Sequence, residues 1–398
     1  MSASGKAKYQ RVFFLVLDSV GIGEMPDAKK FGDVGSHTIA HAAASIGGLR
    51  VPYLEKMGLG NISPIPGVKP VSKATAAHGK LTELSNGKDT TTGHWEMAGI
   101  RTEVPFPTYY DGFPQDFITR FITDAKVPGI LGNIAASGTE IIKDLGDEHI
   151  RTGKPIVYTS SDSVFQIACH EEHFGLDRLY EICKVARLLC DEVKVARVIA
   201  RPFTGTSGNY TRTGNRKDFS IELTDEIMMQ KLLAAGLDSI SIGKVASIYS
   251  EEGFSKKIKA SNNRDIFAAT VSEAKRDFHG LVFANLVDFD MLYGHRRNAK
   301  GYAEELQWFD SVLPELLREM KEDDLLLMSA DHGNDPTFHG TDHTREYVPI
   351  IAYSKRTEKN GGANLQTRGS FADIGQTILD ALGVPAKLKI GTSFIEVL

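Results

Sequence analysis

The chain has 398 residues, of which 41% are hydrophobic and 24% are charged, a composition typical of an ordinary globular protein. This length exceeds what one hydrophobic core usually organises, so we predict two domains. The formal net charge of -5 offers no basic field for nucleic acid or for an anionic membrane surface, and we expect neither as a partner. No apolar stretch approaches the roughly 18 residues that a membrane span requires.

The N-terminus, "MSASGKAKYQ", lacks the apolar core of a signal peptide, which predicts a cytoplasmic protein. The three cysteines, Cys169, Cys183 and Cys190, are too few for a disulfide framework and form no CxxC pair. We expect all three to be reduced and to be buried as small hydrophobic side chains.

Three continuous apolar runs end in aspartate: "RVFFLVLDS" at 11–19, "GLVFANLVDFD" at 280–290 and "DDLLLMSADHG" at 324–333. Continuous apolarity indicates strands buried on both faces, as in a parallel sheet covered by helices. Because ligands bind beyond the carboxyl ends of such strands, the three carboxylates should converge at one sheet edge. A further run, "YVPIIAYS" at 347–354, is predicted to join the same sheet, and apolar spacing over 302–321 predicts a helix.

The stretch "GKDTTTGHWEMAG" at 87–99 places three threonines at the predicted start of a helix. Threonine is an ordinary helix N-cap, so one interpretation is that Thr90, Thr91 or Thr92 caps the helix. The alternative is that a hydroxyl here lies where the helix dipole favours negative charge, which suits an oxygen that becomes an alkoxide or carries a phosphate. This stretch by itself leaves both interpretations open.

The middle of the chain differs from its two ends. The stretches 99–114 and 205–219 are rich in Gly, Pro, Asn and Thr, which marks connections rather than helices or strands. We therefore predict an inserted domain over 103–222, carried by a core made of 1–102 and 223–398. Basic residues lie near the exit of the insert, namely Arg197, Arg201, Arg212 and Arg216, with Lys244 beyond it.

Ligand-type side chains follow the second and third apolar runs. Asp290 and His295 lie five residues apart, Asp331 and His332 are adjacent, and His343 follows eleven residues later. Aspartate and histidine together suit divalent metals of intermediate hardness, and loops at strand ends can direct such side chains at one point. A lone Asp-His pair more often caps a helix or faces solvent, but the accumulation here predicts a metal site. Spacing does not separate manganese from zinc, magnesium or cobalt.

The other histidines are weaker candidates. His37 and His41 stand four residues apart, which could place two ligands on one helix face, but no carboxylate pattern accompanies them. His94 follows Thr90 by four residues and is predicted to lie behind the metal ligands. Three more are expected to be structural or solvent-facing, namely His170, His173 and His339.

Four motifs resemble those of one known family: "DSVGIGEMPDA", "KDTTTGHWE", "NLVDFDMLYGHRR" and "ADHGNDPTFHGTDHTREYVP". From about residue 10 to its C-terminus, the chain resembles the phosphopentomutase family of the alkaline phosphatase superfamily. The resemblance implies an α/β fold, with an alkaline-phosphatase-like core whose mainly parallel sheet is flanked by helices. It also implies that the insert is a smaller α/β cap domain.

The same resemblance implies two divalent metal ions, with manganese as the expected metal, and Thr90 as the nucleophile between them. A bound divalent cation lowers the pKa of a threonine hydroxyl, and two cations can stabilise an in-line phosphoryl transfer. Thr91 and Thr92 are then left to cap and pack. The implied ligands are Asp18, Asp331 and His332 for one metal and Asp290, His295 and His343 for the other.

A phosphothreonine beside two metals would be hydrolysed unless water is kept out, so the inserted domain is the predicted lid. The resemblance implies that Arg197, Arg212 and Lys244 bind the substrate's non-reacting phosphate, for which the planar guanidinium fork is suited. Ser160 and Val164 match family residues that lie near the sugar.

The implied activity is that of an isomerase, an intramolecular phosphotransferase that interconverts ribose 1-phosphate and ribose 5-phosphate, together with the 2-deoxyribose pair. The implied route uses a phosphothreonine enzyme and a pentose bisphosphate intermediate, with a pentose or hexose bisphosphate as activator. Small-molecule pentose phosphates are thus the expected partners. The alternatives are a metal-dependent phosphatase or phosphoglycerate mutase of the same superfamily, and a non-catalytic phosphosugar-binding protein.

Overall fold

The computed structural model describes residues 7–160 and 162–398. Residues 1–6, which enter the prediction of a cytoplasmic location, and residue 161, within the insert, lie outside the described residues. The described chain forms two compact units. The larger unit extends to Pro105 and resumes from Thr224 to Leu398, and the smaller unit is Phe106–Leu223.

The helices and strands follow in chain order. The larger unit begins with β1 (Arg11–Leu17), α1 (Ala28–Phe31), α2 (Thr38–Ser45), α3 (Pro52–Lys56), β2 (Ala77–Leu81) and α4 (Thr90–Met97). The smaller unit contains α5 (Gln115–Asp124), β3 (Leu131–Ala135), α6 (Gly138–Thr152), β4 (Ile156–Thr159), β5 (Val164–His170), α7 (Leu176–Glu192), β6 (Arg197–Thr204), β7 (Thr211–Arg212) and β8 (Lys217–Ser220).

The larger unit then continues with α8 (Met228–Ala234), β9 (Asp238–Ile242), α9 (Val245–Ile248), β10 (Lys256–Ile258), α10 (Asn263–Ala274), β11 (Gly280–Leu286), α11 (Ala299–Glu319), β12 (Asp324–Ser329), β13 (Val348–Tyr353), α12 (Lys355–Asn360), β14 (Asn364–Arg368) and α13 (Ala372–Ala381). Short helical turns occupy Leu59–Asn61 and Ile395–Val397, and a π-helical turn occupies Phe289–Gly294.

The sheet of the larger unit has the strand order β10-β9-β11-β1-β12-β13-β2-β14. Every residue of β1, β11 and β12 is buried, which explains why these strands read as continuous apolar runs. β13 joins the sheet, as predicted, but runs antiparallel to both of its neighbours. The helix predicted over 302–321 is α11. The predicted class, α/β with a mainly parallel sheet flanked by helices, is confirmed.

The smaller unit has its own sheet, in the order β3-β4-β5-β6-β7, with β8 also pairing with β6. The prediction that 205–219 is only a connection is wrong, because this stretch contains β7 and most of β8. Both strands run antiparallel to β6 and together cover its second edge, so the backbone groups of that edge find partners. The Gly and Asn residues lie in the turns between these short strands.

The three cysteines are buried free thiols in the core of the smaller unit, as predicted. Burial raises the pKa of each thiol, which keeps the thiols protonated. None of the helices in the described part of the chain combines the length and the apolar composition needed to cross a membrane.

Candidate metal centre

Three adjacent parallel strands bring three aspartates to one edge of the large sheet. β1 lies between β11 and β12, so the carboxyl ends of the three strands are neighbours. Asp18 directly follows β1, Asp331 lies just beyond β12, and Asp290 lies in the π-helical turn after β11. All three carboxylates are buried. Strand order thus places together the side chains that the sequence predicts to converge.

Two groups of potential metal ligands lie at this edge. One contains Asp290, His295 and His343, and the other contains Asp18, Asp290 and His332. Within each group the ligand atoms lie within 4.8 Å of one another. Asp290 belongs to both groups, so its carboxylate lies between the two sets of ligands. The division inferred from the sequence resemblance assigned Asp290 to only one of them.

Asp331 lies beside the group of Asp18 and His332. Its Oδ2 is 3.4 Å from His332 Nε2 and 3.1 Å from His94 Nδ1. Asp18 Oδ1 is 3.5 Å from the same His332 nitrogen. The structure therefore brings Asp331 next to the two residues predicted to share its metal, while one of its oxygens also faces His94.

His295 presents one ring nitrogen to the second group. Its Nδ1 is 2.7 Å from the carbonyl oxygen of Thr341, an acceptor, so the proton is assigned to Nδ1. Nε2 then faces Asp290 Oδ2 at 3.0 Å and His343 Nε2 at 3.2 Å. A histidine that donates one N–H to a carbonyl and turns its other nitrogen toward a carboxylate has the usual arrangement of a metal ligand.

The donor atoms fit a divalent cation. Asp18 Oδ1 is buried and has no hydrogen-bond donor among the residues that the structure describes. Burial, and then the neighbouring Asp331, raise the pKa of Asp18. Burial also acts to raise the pKa of Asp290, but His295 and His343 outweigh it and the pKa lies well below its usual value. Buried carboxylates this close to one another require a compensating positive charge, and carboxylates with imidazoles suit metals of intermediate hardness.

Thr90 is the first residue of α4, and its side chain reaches the same ligands. Its Oγ1 lies 3.2 Å from His332 Nε2, and the residue is buried. Gly93 lets the helix approach this closely, because a Cβ at that position would lie 2.0 Å from the carbonyl oxygen of Asp331. The helix N-terminus therefore lies against the strand end that carries two of the predicted ligands.

Asp89, not a threonine, is the N-cap of α4. Its Oδ1 accepts the backbone N–H groups of Thr91 at 3.0 Å and Thr92 at 3.1 Å, and Thr92 Oγ1 donates to Oδ2 at 2.6 Å. The expectation that Thr91 and Thr92 cap the helix is wrong, because the carboxylate accepts both N–H groups and its charge suits the helix dipole. Both threonines are buried and pack. Capping therefore does not require the hydroxyl of Thr90.

His94 lies behind the predicted ligands, as its spacing from Thr90 predicts. Its Nδ1 is within 3.1 Å of Asp331 Oδ2 and 2.9 Å of the Thr90 carbonyl oxygen. Its Nε2 is 3.1 Å from Asn285 Nδ2, which can only donate. The imidazole is therefore held from both sides, and its N–H faces acceptors next to the candidate metal centre.

Lys244 supplies a positive charge at the same edge of the larger unit. Its Nζ lies 2.5 Å from Asp18 Oδ2. Burial acts to lower the pKa of Lys244, but Asp18 and Asp331 outweigh it and the pKa is raised. The lysine predicted to bind phosphate therefore lies beside the candidate metal ligands and remains charged.

Comparison with known proteins places the chain in a family. A model of the metalloenzyme superfamily matches residues 10–386. The phosphopentomutase of Carboxydothermus hydrogenoformans is 52% identical over 97% of this chain and 98% of that protein. The phosphopentomutase of Clostridium acetobutylicum is 52% identical over 98% of this chain and 99% of that protein. The chain belongs to the phosphopentomutase family.

Among solved structures, the PH0037 protein from Pyrococcus horikoshii is similar to this chain with a TM-score of 0.50 and 13% identity. The match covers 96% of this chain and 100% of that chain, and it shows a shared fold. Membership of the phosphopentomutase family makes this chain an enzyme of the isomerase class. The metalloenzyme match and the two ligand groups together support the binding of divalent metal.

Four of the residues that the phosphopentomutase resemblance assigns to the substrate lie in the smaller unit. Val164 and Arg197 are neighbours across β5 and β6, and both are buried. Arg197 Nη2 lies 3.1 Å from Asp162 Oδ2. Arg212 lies in β7 and is exposed, and half-buried Ser160 directly follows β4.

The weaker histidine candidates have other partners. His41 Nδ1 lies 2.5 Å from Asp335 Oδ2, and the backbone N–H of His37 donates to the same oxygen at 3.0 Å. His170 is buried in the smaller unit, where its Nε2 contacts the Gly205 carbonyl oxygen at 3.0 Å. The remaining two weaker candidates, His173 and His339, are exposed to solvent.

Sequence reasoning overlooked Asn334, whose Nδ2 donates to Asp290 Oδ1 at 2.7 Å. The residue lies within the motif "ADHGNDPTFHGTDH", two positions after His332. The available signal was its place in the sequence between the predicted ligands His332 and His343; the structure shows that the amide is buried, where it needs polar partners.

Proposed function

We propose that the chain is a phosphopentomutase that reversibly interconverts ribose 1-phosphate and ribose 5-phosphate, and likewise the 2-deoxyribose phosphates. The observation that carries this proposal is the position of the Thr90 hydroxyl, 3.2 Å from His332 Nε2 beside two groups of metal-ligand side chains. The 52% identity to named phosphopentomutases over nearly the whole chain supports the choice of substrate.

Thr90 Oγ1 is the proposed nucleophile and phosphate carrier. Starting from phosphorylated Thr90, the bond between phosphorus and Oγ1 breaks as the 5-hydroxyl oxygen of ribose 1-phosphate bonds to phosphorus and loses its proton. The resulting bisphosphate turns around in the site. Oγ1 then takes the phosphoryl group from the C1 oxygen, which gains a proton, so that ribose 5-phosphate leaves and phospho-Thr90 is restored. A pentose or hexose bisphosphate would phosphorylate Thr90 initially.

The proposed metal-binding residues are Asp18, Asp331 and His332 on one side and Asp290, His295 and His343 on the other, with Asp290 close to both. Two divalent ions, with manganese as the expected metal, would lower the pKa of the Thr90 hydroxyl and stabilise the charge that develops during transfer. Asp89 leaves that hydroxyl available, because the carboxylate already caps the helix. His94, which accepts from Asn285, holds the Asp331 carboxylate in place.

Basic side chains are proposed to bind the phosphate that is not being transferred. Lys244 remains charged at the edge of the large sheet, where its ammonium group can contact a phosphate oxygen in place of the Asp18 carboxylate. In the smaller unit, Arg197 and Arg212 are the proposed phosphate ligands, and Ser160 and Val164 the proposed sugar neighbours. The smaller unit is accordingly the proposed cap that keeps water from phospho-Thr90. The buried, unpaired cysteines fit our proposal of a cytoplasmic location.

The Tyr158 hydroxyl supports an anion role for the smaller unit. It is buried without a hydrogen-bond partner among the described residues. A Cβ at Gly138 would lie 2.5 Å from this hydroxyl and 3.3 Å from Arg212 Nη1, so the two groups share one small space. Arg201 belongs to the same cluster, and burial lowers its pKa to about 10, which still leaves it charged at neutral pH. A donor hydroxyl between guanidinium groups is suited to a phosphate oxygen.

The test is to incubate the manganese-loaded enzyme, primed with a catalytic amount of glucose 1,6-bisphosphate, with ribose 1-phosphate or with 3-phosphoglycerate. We expect ribose 5-phosphate from the first substrate and no 2-phosphoglycerate from the second. Release of inorganic phosphate without ribose 5-phosphate would identify a phosphatase. Turnover of 3-phosphoglycerate would identify a phosphoglycerate mutase, and binding of ribose 1-phosphate without any single turnover would identify a binding protein.

A further inference from the structure

One side chain, Arg297, joins the two loops that carry His295 and His343. The residue is half-buried and lies two positions after His295. On its own loop, its Nη1 donates to Gly294 O at 3.1 Å. On the loop that leads to His343, Nη1 also donates to Asn334 Oδ1 at 2.7 Å and to Asp335 O at 3.0 Å. On the same loop, Nε donates to Gly340 O and Nη2 donates to Asp342 O at 3.2 Å. A planar group with fixed donors can hold several carbonyls only when they lie in a defined arrangement.

The bonds of Arg297 set the orientation of His295. Three consecutive carbonyls, of Gly340, Thr341 and Asp342, face residues 295–297, and Arg297 holds the first and the third. The middle carbonyl, of Thr341, accepts from His295 Nδ1 at 2.7 Å. Because this acceptor determines which ring nitrogen of His295 carries the proton, holding it in place keeps Nε2 turned toward Asp290. His343 directly follows the held segment.

Arg297 also fixes the amide of Asn334. Since a guanidinium group can only donate, the atom that faces it must be the carbonyl oxygen of the amide. The NH₂ group must then face Asp290 Oδ1, to which it donates at 2.7 Å. Arg297 therefore restrains the side chains of His295 and Asp290 through Thr341 and Asn334, and it holds the backbone that leads into His343.

We propose that Arg297 is a positioning residue that sets the metal affinity of the group of Asp290, His295 and His343. The inference rests on the proposed function, because it requires that this group holds a metal. None of the contacts of Arg297 in the described residues reaches Asp18, Asp331 or His332, and the shared Asp290 is reached only through Asn334, so the other metal should be affected less. The adjacent Arg296 is a matched comparison, because it is exposed and its side chain makes one long hydrogen bond, to Met291 O at 3.4 Å.

The experiment titrates the metal-free, full-length chain with Mn²⁺ and measures free Mn²⁺ by its electron paramagnetic resonance signal. We expect wild type and Arg296→Met to bind two ions with the same affinities. Arg297→Met should weaken one affinity about 10- to 100-fold, as is usual when a partner of a metal ligand is removed, and should weaken the other by a clearly smaller factor. His343→Ala should weaken the same ion. Arg297→Lys keeps the charge but cannot join the carbonyls, so it should also weaken that ion.

Chemical rescue with guanidinium ion distinguishes a positioning role of Arg297 from a general effect on stability. Guanidinium ion added to Arg297→Ala should restore part of the lost affinity, and it should not change the affinity of Arg296→Met. Two wild-type affinities in both Arg297→Met and Arg297→Lys would overturn the inference. Equal weakening of both ions, with a lowered midpoint of thermal unfolding, would also overturn it and assign Arg297 a structural role. A wild-type chain that binds fewer than two ions would instead refute the proposed two-metal function, on which the inference depends.

Discussion

Replacing Glu96 with glutamine should destabilise the larger unit, because the buried carboxylate of Glu96 connects the helix of Thr90 to two other segments of that unit. The carboxylate accepts five hydrogen bonds. Oε1 accepts from Leu84 N at 2.9 Å, Ser370 Oγ at 2.8 Å and Phe371 N at 3.1 Å. Oε2 accepts from Ser85 N at 2.7 Å and from Ser85 Oγ at 2.6 Å. Glutamine has nearly the same shape, so the change tests these bonds and leaves no cavity.

The expected magnitude follows from the donors that the amide cannot satisfy. Whichever oxygen of Glu96 becomes NH₂, at least one buried backbone N–H faces another donor, which costs about 1–3 kcal/mol. The surviving hydrogen bonds lose the charge that strengthened them, at about 1 kcal/mol each. A neutral amide is easier to bury than a carboxylate, which offsets part of this cost. We therefore expect a loss of about 3 kcal/mol in the free energy of unfolding, against a usual total of about 5–15 kcal/mol.

Tryptophan fluorescence in urea measures this change selectively. The chain has two tryptophans, Trp95 and Trp308, and both belong to the larger unit. Glu304→Gln is the matched control, because Glu304 is exposed and pairs only loosely with Lys300 at 3.8 Å, so we expect a change below about 0.5 kcal/mol. If the Glu96→Gln transition coincided with that of the control, the argument that these five bonds stabilise the unit would be refuted.

Three further predictions concern the site. Thr90→Ala should abolish mutase turnover but still bind two metal ions. Substrate consumption is followed by ion chromatography, and a variant that kept a tenth of the wild-type rate would contradict a covalent role for Thr90. His343→Ala should weaken one metal ion, whereas Asp290→Asn should weaken both, because Asp290 belongs to both ligand groups; elemental analysis after dialysis compares them. Arg212→Ala should raise the ratio of released phosphate or bisphosphate to ribose 5-phosphate, and equal loss of all products would assign Arg212 to folding or general binding.

The strands at the site could be predicted because burial on both faces of a strand produces a continuous apolar run in the sequence. β1, β11 and β12 are buried on both faces, so each appears as a continuous apolar run, and a site aspartate follows the end of each strand within four residues. The edge at which Asp18, Asp290 and Asp331 meet follows from the rule for parallel strands. The antiparallel direction of β13 could not be predicted, because an apolar run carries no information about strand direction.

The role of Arg297 could not be predicted for a different reason. Its partners on the second loop lie 37 to 45 residues away in the chain, and four of its five acceptors are backbone carbonyls, which are the same for every residue type. The sequence "GHRR" shows two arginines without indicating which one turns inward. Only the positive φ of 52° at Arg297, a conformation that L-residues rarely adopt, distinguishes its backbone.

The position of Asp290 between both ligand groups could not be predicted from the sequence, and the family resemblance assigned this carboxylate to one metal. β1 lies between β11 and β12, so Asp18 is central, and the ligands that follow β11 and β12 approach it from opposite sides. Asp331 leaves β12 within two residues and turns one oxygen toward His94. Asp290 lies four residues beyond the end of β11, in a π-helical turn that carries its carboxylate between the two groups. The position of Asp290 in both groups therefore depends on the path of this turn, and a change that converted it to an α-helical turn should move the carboxylate away from one group and weaken metal binding there first.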